Sequence, residues 1–291
     1  MPTRTSGAAA ARAINDRVEA ALGLRASGRV MEALELLSGP GDFSQDACML
    51  RGDLQLQLGH IHEALGSYST VIALESDNIY ALHRLARCLS RLERWGAAAE
   101  TFRKLLSYDT YSDQARIGLG DCLLHLNRPE EALSCFEACW SEAARVPAMF
   151  GKAVAMQLLR RFDEAQVLYE RILAIEPRSE EALGNLIAIN TEGFDLARVH
   201  RYALRLVELR PQSTVALQAL TLVAVERRDY ETAAHYFADL LEHAPEGTLS
   251  HSHEGDESDE IEYVLSGDAV AQLSKFGRLT PYTLQTPQVR S

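Results

Sequence analysis

Few residues of this 291-residue chain stand in an arrangement that could do chemistry. Arg84, Arg87 and Arg91 are spaced i, i+3 and i+7, which on a helix over residues 78–91 makes one stripe. Guanidinium groups arranged in this way suit a carboxylate or an acidic peptide, because each planar fork can give two parallel hydrogen bonds to one acid. Cys135 and Cys139 stand i, i+4 and could share a face as metal ligands, but no close Cys or His pair completes a tetrahedral set. Cys88, Cys122 and Cys139 read instead as small buried hydrophobes. His251 and His253 lie in the run Ser-His-Ser-His-Glu-Gly-Asp-Glu-Ser-Asp-Glu (250–260), where imidazoles beside carboxylates could hold a divalent ion weakly. A charged, apolar-poor run of this kind reads more simply as a solvated linker. There is no glycine-rich phosphate loop, no Gly-x-Ser-x-Gly elbow and no His-Glu-x-x-His. The expectation is a chain without catalytic residues, cofactor or metal.

The background composition narrows the class. A net charge of −12 argues against a nucleic-acid or anionic-lipid binder, which needs a clustered basic surface. No run approaches the roughly 18 apolar residues of a membrane span. Five cysteines, an odd number in a long chain, suggest reduced thiols and hence a cytoplasmic location. Residues 1–11 lack the apolar core of a secretory signal and are expected to be unstructured. The 26 arginines against three lysines (Lys104, Lys152 and Lys275) fit a GC-rich, bacterial coding bias.

The elements that must position the arginines come from an internal repeat. Ala33, Ala64, Ala98, Ala132, Ala165, Val199 and Ala233 occupy one recurring position, at steps of 31, 34, 34, 33, 34 and 34 residues. Four residues later stands Tyr68, Phe102, Phe136, Tyr169 or Phe237, and twelve residues earlier a small residue, Gly52, Ala86, Gly120 or Ala153. Pro177, Pro211 and Pro245 recur 34 apart and should end a helix, since the residue before proline is pushed out of the α region. Pro129 and Pro147 sit where a helix would begin. Each unit therefore reads as two amphipathic helices whose small residues face each other, with the aromatic ring filling the groove beside them.

This small–small–aromatic–proline set at a 34-residue period resembles the tetratricopeptide repeat family over residues 12–245. The first unit is degenerate, because Ser-Gly-Pro-Gly (38–41) cuts its second helix short. The resemblance implies an all-α, right-handed superhelical solenoid of about seven helical hairpins with a concave binding face. An acidic linker (246–260) and a C-terminal segment (261–291) would follow. In the latter, Asp268 could start a short capping helix bearing Val270, Leu273 and Phe276, ahead of an extended tail. That segment could cap the array, stay unfolded, or fold back to occlude the groove.

The resemblance also implies that the first helix of each unit lines the concave side. It places Asp53, Arg87 and Asp121 at one inward position and Met49, His83, Ile117 and Phe150 at a second, with Tyr80, Arg84, Arg91 and Val154 beside them. In one reading the arginines grip an acidic segment and Met49, Phe150 and Val154 seat a partner's side chain. In the other, Asp53 and Asp121 neutralise Arg87 in a salt-bridge ladder and the apolar residues pack against neighbouring helices. The Lys/Asn/Lys/Arg set with which some family members clamp chaperone tails is not supplied, so that ligand is not expected. The implied function is a non-enzymatic scaffold or adaptor that binds a protein or peptide. The alternatives are a chaperone-like escort for bacterial secretion or surface-assembly subunits, and a regulatory subunit of an enzyme complex encoded elsewhere.

Overall fold

The computed structural model describes residues 4–39, 44–243, 249–251 and 263–265. Fourteen α-helices alternate with short turns among these residues, as an all-α solenoid requires. The chain divides into two compact units, residues 1–159 and 160–291. The first holds α1 (Arg4–Ala26), α2 (Val30–Leu36), α3 (Gln45–Gln57), α4 (Ile61–Leu74), α5 (Ile79–Arg91), α6 (Trp95–Tyr108), α7 (Asp113–His125), α8 (Pro129–Glu137) and α9 (Glu142–Leu158). The second holds α10 (Phe162–Ile175), α11 (Glu180–Glu192), α12 (Leu196–Leu209), α13 (Thr214–Glu226) and α14 (Tyr230–His243).

Two local devices repeat along the chain. First helices open on a polar cap: Ser44, Asn78, Ser112, Ser179 and Ser213 each accept a hydrogen bond from the backbone amide three residues on. That satisfies one of the amides a helix leaves orphaned at its N-terminus. After each first helix one residue turns left-handed: Gly28, Gly59, Glu93, Asn127, Arg160, Phe194 and Arg228. Within the hairpins the following amide then returns to a carbonyl five residues back, as from His60 to Gln55 (2.8 Å) and from Arg128 to Leu123 (2.8 Å). This is the Schellman closure, and its geometry recurs even where the residue in the left-handed position is not glycine.

The packing follows the recurring residues. The alanines at the repeat position are buried, as is Val199. In the first unit the aromatic rings occupy space that glycine leaves open. A Cβ built on Gly52 would come within 2.7 Å of Tyr68, and on Gly120 within 2.5 Å of Phe136. The ring also reaches the next first helix: Phe136 would meet a Cβ on Gly151 at 2.3 Å, and Phe102 one on Gly118 at 2.4 Å. Each ring thus joins its own hairpin to the following one. In the second unit Val199, Leu183, Leu186, Ile187 and Leu206 are among the buried core, and the Tyr202 hydroxyl donates to Glu170 at 2.7 Å.

Three expectations need correction. The first helix starts at Arg4, within the segment expected to be unstructured, because its alanine-rich run has high intrinsic helix propensity. Pro147 does not begin a helix but lies inside α9. The reason is Asp113, a buried carboxylate at 7 % exposure, which accepts from the amides of Ser141 (2.8 Å) and Trp140 (3.2 Å) and from Arg116 (2.7 Å). It fixes the start of α9 five residues before the proline, which therefore sits inside the helix past the first turn and leaves the Ala143 carbonyl without its usual amide partner. Within 246–260, residues Leu249–His251 form a strand pairing antiparallel with Tyr263–Leu265, so Ser250 stands opposite Val264. Backbone pairing there brackets the acidic run rather than leaving the whole stretch as linker. The expected capping helix after Asp268 lies outside the described residues. α2 is seven residues long, consistent with its early stop.

Two outcomes follow. Gly59→Ala should lower stability by about 1 kcal/mol, since its left-handed backbone penalises a Cβ, whereas Gly66→Ala, on an open face of α4, should raise it by up to about 1 kcal/mol. Thermal melts of both variants check the opposite signs. Burial alone would raise the Asp113 carboxyl, but hydrogen bonds from Ser141, Trp140 and Arg116 outweigh it and bring it down to about 2, from 3.8. A depressed folded value gives stability that is present above about pH 4 and lost as pH falls toward about 2. Asp113→Ala should therefore cost about 1–3 kcal/mol at neutral pH. Denaturant titrations between pH 7 and 2 should find that gap narrowing in the acid window, and a constant gap contradicts the assignment.

Candidate functional site

Two adjoining hollows open in the first unit. The smaller, about 710 Å³, is lined by Leu22 and Arg25 of α1, Asp53 of α3 and Arg84, Arg87 and Arg91 of α5. The larger, about 1190 Å³, lies among α5, α7 and α9, and Arg87 and Arg91 line it as well. These two arginines are the boundary between the hollows. They hold that place because α5 is capped at Asn78 and its other face is seated by Ala81, Leu82, Ala86 and Leu89.

The charges are not distributed as a ladder around Arg87. Asp53 accepts from the Tyr68 hydroxyl at 2.7 Å and lies 3.4 Å from Arg84 and 4.0 Å from Arg25. Burial, with the adjacent Asp53 charge, pushes the Tyr68 phenol up and keeps it a donor. Asp53 is therefore committed, and among the described residues Arg87 and Arg91 form no ion pair. Asp121, an exposed residue, lines the larger hollow from α7, where the protein around its carboxyl raises it above the ordinary carboxylate range, with His125 as the opposing influence. The His83 imidazole, edge-on to Phe102, is held below its usual range by burial and then by Arg87 and Arg84.

Eight of the ten expected site residues meet at these hollows. Asp53 and Arg84 line the smaller, Arg87 and Arg91 line both, and His83, Asp121, Phe150 and Val154 line the larger. Two do not. Met49 is half-buried and packs against the clusters around Val71 and Tyr68, so it belongs to the core. Tyr80 is 79 % exposed at the start of α5 and lines neither hollow.

Other lining residues were not anticipated. Trp140 and Tyr111, 70 % and 76 % exposed, border the larger hollow, and Trp95 stacks on His125 with ring centroids 3.8 Å apart. Trp140 and Tyr111 precede first helices, where helical periodicity gives no signal. Leu22 had one: counting back eleven from Ala33, as Asp53 stands from Ala64, lands on it. Cys88 and Cys122 are buried and Cys135 and Cys139 half-buried, all with thiols raised by burial. Among the described residues no three His, Cys, Asp or Glu side chains gather as a metal site, and no helix is long and apolar enough to cross a membrane. The acidic run after His251 lies outside the described residues. The arrangement is thus a concave surface with two guanidinium groups that form no ion pair among the described residues, one exposed acid and an aromatic border.

Comparison with known proteins agrees with this geometry. Two family models described as tetratricopeptide repeat match residues 49–113 and 91–156. No curated protein matches the sequence. Among solved structures, a tetratricopeptide repeat protein from Parabacteroides merdae is similar at 17 % identity and a TM-score of 0.64, over 81 % of this chain and 95 % of that one. PilW, a type IV pilus biogenesis factor, is similar at 19 % identity and a TM-score of 0.63, over 70 % and 94 % of the two chains. Pseudomonas aeruginosa pilF is similar at 18 % identity and a TM-score of 0.60, over 70 % and 93 %. At these identities the likeness is one of fold. Repeat spacing, aromatic-on-glycine packing and the two family matches agree, and residues 49–156 of the chain are tetratricopeptide repeats.

Proposed function

We propose that this chain is a non-enzymatic interaction scaffold that grips an extended segment of another protein in the paired hollows of residues 22–158. Arrays of this repeat hold protein partners on surfaces left between stacked helices. The observation that carries the reading is the state of Arg87 and Arg91: both line both hollows, yet neither forms an ion pair among the described residues, while Arg84 and Arg25 share Asp53. Forked donors left open at a concave surface are suited to a partner's acid. The neighbouring Trp140 and Tyr111 supply the exposed aromatic area that anchors interfaces.

A photo-crosslinking residue tests this at Trp140 and at Val154, with Val167 on an exposed face of α10 as the control position. Mass spectrometry of material crosslinked in cells should find short stretches of another protein attached at Trp140 and Val154. They should be absent at Val167 and lost in the Arg87→Glu/Arg91→Glu background. Adducts that survive the charge reversal unchanged, or that form only within the chain itself, contradict the assignment.

A further inference from the structure

Charge in the first unit is sorted by edge. Three-residue turns join the helices within its hairpins, and four-residue turns join α4 to α5, α6 to α7 and α8 to α9. Helices joined so tightly run antiparallel, so the two kinds of turn gather at opposite edges. The between-hairpin stretches 74–80, 108–113 and 137–142 hold six carboxylates and no Lys, Arg or His. Asp113 is spent on Arg116 and the amides of Trp140 and Ser141, which leaves Glu75, Asp77, Asp109, Glu137 and Glu142. Asp77 and Glu137 form no ion pair among the described residues. The four exposed aromatic residues described in the first unit, Tyr80, Tyr108, Tyr111 and Trp140, stand in the same three stretches. The within-hairpin stretches 26–30, 58–62, 91–95 and 125–129 are the reverse: four arginines, three histidines and one carboxylate, Glu93. Of those arginines, Arg29 and Arg128 also hold Glu32 and Glu131 in exposed pairs, which are weak and open to exchange. Arg94 forms no ion pair among the described residues. The second unit does not repeat this sorting, because Arg178 and Arg210 stand in its between-hairpin turns.

We propose that the first unit docks edge to edge with a second copy of this chain, the arginine-bearing edge of one molecule laid on the acidic, aromatic edge of the next. One molecule carries both halves of the contact. Both rows advance once per hairpin, so their charges fall at a matching pitch. A guanidinium group pairs with a carboxylate and also stacks on an exposed Tyr or Trp ring. A chain of net charge −12 repels its own copies at long range, so the contact depends on these local pairs and weakens as salt screens them. It is heterologous: each molecule gives one edge and receives at the other, which continues in a line instead of closing as a pair. This goes beyond the reading of the hollows and does not rest on it, since Asp77, Tyr80, Arg94, Arg128 and Glu137 line neither hollow.

Sedimentation equilibrium of the full chain over a range of concentrations tests this at roughly 50 and 500 mM salt. At low salt the average mass should climb past a dimer of the 32.2 kDa chain, and at high salt it should fall back toward the monomer. Arg94→Glu/Arg128→Glu spoils one edge and Asp77→Arg/Glu137→Arg the other, so each variant alone should remain monomeric. Mixed in equal amounts, they bring one intact edge of each kind and should form a one-to-one pair that grows no further. Tyr80→Ala should weaken association of the parent roughly three- to fivefold, and no change overturns the part given to the ring. A parent that stays monomeric at every concentration overturns the proposal, and so does one whose mass levels at a dimer, because opposite edges cannot meet twice in a pair. Self-association of either reversed variant at the parent's strength overturns it too, as does a mixture of the two, each natively folded by circular dichroism, that stays monomeric. None of these outcomes bears on crosslinking at Trp140 and Val154, so the scaffold reading stands or falls separately.

Discussion

The first unit depends on aromatic rings lying where neighbouring helices have no side chain. Phe136 is the clearest case: it fills the space a Cβ would take on Gly120 of its own hairpin and on Gly151 of the next. A ring packed this way sets the distance between three helices at once, because interiors transmit small changes of volume rather than absorbing them. Enlarging either glycine would force the ring or the backbone to move, the overpacking that typically costs about 1–3 kcal/mol. The same contact explains why short helices, marginal alone, are stable here: the inner ones bury apolar faces against the helices that precede and follow them.

That stacking also decides what is left for function. Holding α5, α7 and α9 by their small and apolar faces turns other faces toward open space, and the hollows are that space. The residues there are under no packing demand, so charge and aromatic surface can accumulate. Asp53 shows how the same framework disposes of charge it does not leave open: the Tyr68 ring that fills the Gly52 groove also brings its hydroxyl to the carboxylate, beside Arg84. The guanidinium groups of Arg87 and Arg91, one and two turns further along α5, lie beyond that acid's reach. A repeated packing rule thus yields a surface whose chemistry is not repeated.

Much of this is legible in the sequence, for reasons that differ by residue. The alanines at steps of 31 to 34 and the rings four residues on are periodic because packing is periodic, so the hairpins and most inward positions can be counted out. Periodicity finds Asp53 and Arg87 for the same reason, but it cannot say which of the two is paired, since that depends on Tyr68 and on Arg25 from a degenerate first repeat. Met49 shows the limit of counting: it shares an inward register with Phe150, yet its flexible side chain packs into the core around Tyr68. Trp140 escapes counting altogether, because it stands in an inter-helix turn whose path is drawn by Asp113, a contact across 27 residues that no local pattern encodes.

The central claim is that Arg87 and Arg91 are uncommitted in the free chain and become committed when a partner is bound. Phenylglyoxal, which modifies accessible arginine, measures this residue by residue when read out by mass spectrometry. The full chain would be treated alone and with the synthetic form of a segment crosslinked at Trp140. Arg87 and Arg91 should react faster than Arg84 in the chain alone and be protected by the segment. Equal reactivity of Arg87 and Arg91 with and without it would contradict the account.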